Sequence, residues 1–251
     1  MEFEKPSVYS NAGQTSGAAR DIESHLNMYE HIVENSYANN SRLYLALEKT
    51  ANIDEITDFL CWDAVQPPFT EYLGHWVRRV PKFLRQSLLE HLEIEEREQH
   101  SQYFKEMMQL LARYTGRGDA RPKNGPLDHE TLDTLNYTFS ARCAHEQNSA
   151  FFSGGFFATE LMSAKRCAQL FNGLVRNGIP GEQLTYLKIH FGADSHHALE
   201  VRNEFLRPLL KDDLTCGLSI LNGISDRLRR SAQYLMWYER NRDIKSLRGL
   251  H

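Results

Sequence analysis

From Asp21 onward the chain keeps one rhythm: apolar residues recur at three- and four-residue steps, and no strand-length run alternates convincingly with a period of two. Ile22, Leu26, Tyr29, Ile32 and Val33 form the first apolar stripe. Leu43, Leu45 and Leu47 mark a short second helix, and Ile53 to about Trp62 a third, before Pro67-Pro68 breaks the chain. One long helical stretch is expected after Pro81, reaching Tyr114. Further helices are expected from about Asp128 to Asn177, Glu182 to Leu206 and Leu214 to Arg242. No hairpin signal or internal repeat competes with this pattern. The fold class is therefore all-α, a bundle of about seven or eight helices.

Residues 1–20 are rich in Ser, Gly, Asn and Ala and lack periodicity, so they are expected to be a flexible tail. The loop from Gly116 to Pro126, dense in Gly and Pro, is the most obvious linker. Candidate ligands for a metal lie on both sides of it, which favours a surface connection inside a single domain spanning 21–251. A chain of 251 residues buries a sizeable core without staples.

The net charge of −4 gives no electrostatic case for nucleic acid or an anionic membrane. Cys61, Cys143, Cys167 and Cys216 are scattered without a CxxC pair. No secretory h-region is present, and no run approaches the roughly 18 apolar residues of a membrane helix. The expectation is a cytoplasmic protein with reduced thiols and a small-molecule substrate as its partner; a homodimer is left open.

Three segments carry chemistry. In His190-Phe-Gly-Ala-Asp194-Ser-His-His197, three donors stand at i, i+4 and i+7, so two imidazoles and a carboxylate share one helical face. A carboxylate buried there needs a partner such as a cation. His196 points about 100° away from His197 and should not share the site. In Glu90-His-Leu-Glu93-Ile-Glu-Glu96-Arg-Glu-Gln-His100, Glu93 and His100 stand at i and i+7, with Glu96 near the same stripe as the alternative to Glu93. Read alone, this run is a solvated charged helix. Glu160 follows Phe151, Phe152, Phe156 and Phe157, with Gly154 and Gly155 between them, which places a carboxylate near the core or at a helix start. Three carboxylates with three imidazoles suit iron or manganese better than zinc, and two ions better than one. The Glu-x-x-His pair of ferritin-type sites is absent.

These residues resemble the haem-oxygenase-like diiron oxidases and oxygenases. That family's pattern is a Glu and a His on one core helix, a Glu on a second, and His-x3-Asp-x2-His on a third. Glu93, His100, Glu160, His190, Asp194 and His197 are similar to it in order and spacing, over about residues 40–240. The resemblance implies a haem-oxygenase-like bundle without haem, two Fe(II) ions and O2 as co-substrate. It also implies oxidation of a small amino-acid-like substrate: N-oxygenation, or oxidative C–C or C–N cleavage to a nitrile or alkene, in natural-product biosynthesis. Glu160 would be the bridging carboxylate. Phe152, Phe156 and Phe157 would line a substrate pocket, unless they are core, and Lys188, Arg166 or Arg202 would meet a substrate carboxylate.

Two other readings use the same chain. A cofactorless or thiaminase-like enzyme on this fold would need a nucleophile such as Cys143, near Glu146, or Cys167. A helical interaction protein would use the acidic run 90–100 and the basic run Arg227, Arg229 and Arg230.

Overall fold

The computed structural model describes residues 12–63, 69–97, 100–118 and 134–241, with side chains except at 12–18, 62–63, 193–195 and 241. The described residues contain helices and no strand. In chain order the α-helices are α1 (Ala12–Glu34), α2 (Arg42–Lys49), α3 (Ile53–Asp63), α4 (Phe69–Gly74), α5 (Lys82–Arg97), α6 (His100–Tyr114), α7 (Ala141–Glu146), α8 (Ser149–Arg176), α9 (Thr185–Val201), α10 (Arg207–Asp212) and α11 (Gly217–Asn241). Residues 12–20, expected as tail, already belong to α1, while 1–11 lie outside the described residues. Most of the expected linker, its residues 119–126, also lies outside them. Among the described residues no helix is long and apolar enough to cross a membrane.

The bundle is organised around α8, which packs against α9, α11, α2 and α1. Its start is fixed by Asn148, whose Oδ1 accepts from the Phe151 amide at 2.9 Å. Its end is a Schellman turn: Gly178 takes a φ of 87°, its amide donates to Val175 at 2.9 Å, and the Ile179 amide donates to Leu174 at 3.1 Å. Glu160 therefore lies in mid-helix, not at an N-terminal cap. Gly154 and Gly223 bring α8 and α11 into backbone contact. A methyl on Gly154 would overlap the Ile220 carbonyl, and one on Gly223 would overlap the Phe151 carbonyl.

The stretch after Pro81 is helical over Lys82–Arg97 (α5) and His100–Tyr114 (α6), and residues 98–99 between them lie outside the described residues. The helix expected to reach Leu206 is α-helical to Val201 and continues as a π-helical turn over Arg202–Leu206. Arg202 there donates to Asn27 at 2.8 Å and pairs with Glu23, so α1 holds the wide turn in place.

The apolar interior forms two clusters. One gathers Leu84, Leu88, Trp76, Phe152, Phe156, Val201 and Phe205; the other gathers Leu47, Met107, Leu111, Leu170, Leu174 and Leu187. Along α5–α6 and along α9, the stretch between members of the two clusters is where buried His and Glu side chains occur. The core is interrupted by polar residues at one level of the bundle.

Candidate metal centre

Helix α5 buries Leu84, Leu88, His91 and Glu95, a 4-3-4 spacing that continues an apolar stripe into an imidazole and a carboxylate. Glu93 and Glu96 are exposed. The structure does not bring Glu93, or Glu96 in its place, into the buried cluster. Glu93 stands about 200° around the helix from Glu95.

The structure brings His100, Glu160, His190 and His197 together, and adds His91 and Glu95. His91 and Glu160 are 4% exposed and His197 3%, so three ionisable groups sit in the core. His91 Nε2 lies 4.0 Å from Glu160 Oε1 and 3.8 Å from Glu95 Oε1. His197 Nδ1 lies 3.8 Å from the other Glu160 oxygen. Ligand atoms of His91, Glu160 and His197 all fall within 4.8 Å of one another. Alongside, His100 Nδ1 meets Glu95 Oε2 at 2.7 Å, and the His100 and His190 rings are 4.5 Å apart. Asp194 belongs to α9 by its backbone, but its side chain lies outside the described residues. His196 is exposed and pairs with Glu200 at 3.2 Å, away from the cluster.

The protonation pattern suits cation binding. His190 Nδ1 donates to the Tyr186 carbonyl at 2.8 Å, since a carbonyl only accepts. Its Nε2 therefore carries the free lone pair. Burial, helped by the neighbouring His100, lowers the His190 pKa to about 4, so the ring is neutral at pH 7. Burial alone would raise the Glu95 carboxyl. The hydrogen bond from His100 and the nearby imidazoles outweigh it and leave Glu95 below its ordinary value, hence ionised.

A metal fits this donor set. Contacts of 3.8–4.0 Å between His91 or His197 and Glu160 are too long for hydrogen bonds. Two donors on one ion with bonds of about 2.1 Å stand roughly 3–4 Å apart. Imidazole mixed with carboxylate is the chemistry of iron or manganese.

The profile of a family described as iron-containing redox enzymes matches residues 64–232. The chain belongs to this family. Its all-α bundle fits the haem-oxygenase-like fold, and the match spans α4 to α11, the helices that carry every clustered donor. No curated protein matches the chain.

For an iron-containing redox enzyme the other expected residues are placed as follows. Phe156 is fully buried and meets His91 edge-on at 5.0 Å; Phe152 stacks between Phe156 and Trp76. Phe157 is also buried in the core. Lys188 is exposed, and it stands about 180° around α9 from His197. Arg166 is spent on the Ala38 carbonyl and Ser231, and Arg202 on Glu23 and Asn27.

The competing chemistries find less support. Burial, with the charge of Asp226, pushes the Cys143 thiol up to about 12, which leaves almost no thiolate nucleophile at pH 7. Glu146 is exposed and engaged by Arg142 and Tyr137. In the basic run, Arg229 and Arg230 both pair with Asp226, and Arg227 turns inward to Thr159 and the Leu135 carbonyl.

His91 and Glu95 were missed because they lie within a run that reads as a charged surface. The available signal was the stripe Leu84, Leu88, His91, Glu95, which is in phase with the core where Glu93 is not.

Proposed function

We propose that this iron-containing redox enzyme is a non-haem, O2-dependent diiron oxidase or oxygenase. The observation that carries the reading is the group of buried His91, Glu95, His100, Glu160 and His197 with half-buried His190, drawn from four helices. Asp194, on the inward arc of α9 with His190 and His197, is proposed to complete the donor set.

Bound iron would supply the one-electron steps that activate O2, which protein side chains alone do not provide. The chain's own part is geometric and electrostatic. Glu160 sits between His91 and His197 with one oxygen toward each, the position of a shared carboxylate. The Tyr186 carbonyl orients His190, and Glu95 orients His100, so each presents Nε2. Phe156 and Phe205 close one side with apolar rings and exclude water from the reacting centre.

The proposed substrate is a small amino-acid-like molecule, oxidised at nitrogen or cleaved at a C–C or C–N bond, within a biosynthetic pathway. This part rests on resemblance. Arg166, Arg202 and Lys188 are committed or turned away, so a substrate carboxylate would be met by another group.

The test is anaerobic Fe(II) titration followed by exposure to O2. Two irons per chain are expected, with O2 consumption that depends on them. Glu160→Ala should fold, hold less iron and lose O2 consumption. A parent chain that takes up no iron, or a Glu160→Ala protein with full iron and full O2 consumption, would overturn the reading.

A further inference from the structure

Six described side chains gather at this centre, Asp194 aside, and the one with no counterpart in the resembled pattern is His91. The pattern that this chain resembles takes one imidazole from its first core helix region; here both His91 and His100 are buried at the site. His91 is also better placed than His100 for a metal shared with Glu160, since it belongs to the set of donors within 4.8 Å of one another.

The donors divide into two groups of different readiness. His91, Glu160 and His197 come from α5, α8 and α9, and all are in the core. Their ligand atoms lie within 4.8 Å of one another, close enough to converge on one ion. The His91 ring is packed edge-on against Phe156, which is itself packed against Phe205, and so is fixed in orientation. Two imidazoles with one carboxylate form a set that holds Fe(II) and leaves positions open. In the other group, one Glu95 oxygen is already engaged by His100 at 2.7 Å, so an ion arriving there competes with an existing hydrogen bond. Preorganised donors bind more tightly because less rearrangement accompanies binding.

We propose that His91 is a metal ligand, and that His91, Glu160 and His197 take up the first of two divalent cations, before the group of Glu95, His100 and His190. The inference rests on the metal-centre reading above.

The experiment is an anaerobic Co(II) titration of the purified full chain, followed by visible d–d absorption. The parent chain should bind in two steps. His91→Ala should lose the first step or weaken it by about 10- to 100-fold, with folding checked by far-UV circular dichroism. His100→Ala should weaken the second step and leave the first. His91→Gln tests the alternative of a hydrogen-bonding role, because it can donate to Glu160 but offers no imidazole. It should behave like His91→Ala; restored two-step binding would make His91 a positioning residue and overturn the proposal. Two unchanged steps in His91→Ala would overturn it while leaving the metal centre standing. A parent chain that binds no Co(II) would overturn both.

Discussion

The two faces of α8 differ in what they tolerate. Toward α11 the helix carries Gly154, and Gly223 answers from the other side, so backbone meets backbone with no room for a methyl. Toward α5 and α9 it carries Glu160, with imidazoles held at 3.8–4.0 Å. The first face contributes dense apolar contact. The second buries ionisable groups, which costs stability unless a cation or hydrogen bonds compensate. The comparison teaches that the tight seam supports a site the metal-free fold would be more stable without.

The largest test of that contrast uses pH on the metal-free protein. The folded pKa of His190, about 4, lies below the ordinary 6.5. Between those values the unfolded chain binds a proton that the folded chain refuses, so stability falls as pH drops from about 6.5 to about 4. Allowing for the ring's partial exposure, the loss is about 2–3 kcal/mol. Urea unfolding at pH 7 and 4.5 measures it. His190→Leu should flatten this dependence and stabilise the metal-free protein at pH 4.5. Parallel curves for the two proteins would show that the site face carries no such burden. Glu95, whose carboxyl is depressed, adds loss in the same direction only below about pH 4.5.

The seam is tested by Gly223→Ala. Its methyl would meet the Phe151 carbonyl, an overpacking of about 3 kcal/mol against backbone that cannot rotate aside. Better helix propensity returns about 1 kcal/mol. The net loss of about 2 kcal/mol should lower Tm by roughly 4–8 °C at this chain length. A Tm within 2 °C of the parent would mean that α8 and α11 separate easily and that the seam is not rigid.

Cys143 asks whether chemistry is confined to the site face. The thiol is fully buried and its pKa is raised to about 12. Cys143→Ala should cost about 1 kcal/mol for the lost sulfur contacts and leave iron content and O2 consumption unchanged. Loss of activity with normal iron content would restore the thiaminase-like reading.

What could be read in advance depended on whether the donors share one helix. His190 and His197 fall within α9, so spacing alone set them on one arc. Glu160 was visible through its neighbours, because four phenylalanines and two glycines make a helix that is buried on most sides. The all-α class followed from periodicity, which is a property of whole segments. In the first-helix run His100 joins the cluster, but the expected carboxylate Glu93 is exposed, and Glu95, two residues on, lies on the buried side of α5. His91 was overlooked since an imidazole in a run of glutamates looks solvated until the stripe from Leu84 is extended through it. The π-helical turn after Val201 and the glycine seam are set by tertiary packing, which local spacing does not encode.

The smallest effect is also the sharpest comparison, because it lies within one turn of α5. Glu93 is exposed and Glu95 is 9% exposed, two residues apart on opposite sides of the helix. Glu93→Gln removes a solvated charge and should change stability by less than about 0.5 kcal/mol. It should leave Fe(II) stoichiometry unaltered in anaerobic titration. Glu95→Gln removes the carboxylate that orients His100 and should weaken iron binding by about 10- to 100-fold. The reverse result, iron lost with Glu93→Gln and kept with Glu95→Gln, would require α5 to be rotated by about half a turn from its position here. That rotation would expose His91 along with Glu95, so this pair of substitutions tests the register of the whole first helix and not one ligand.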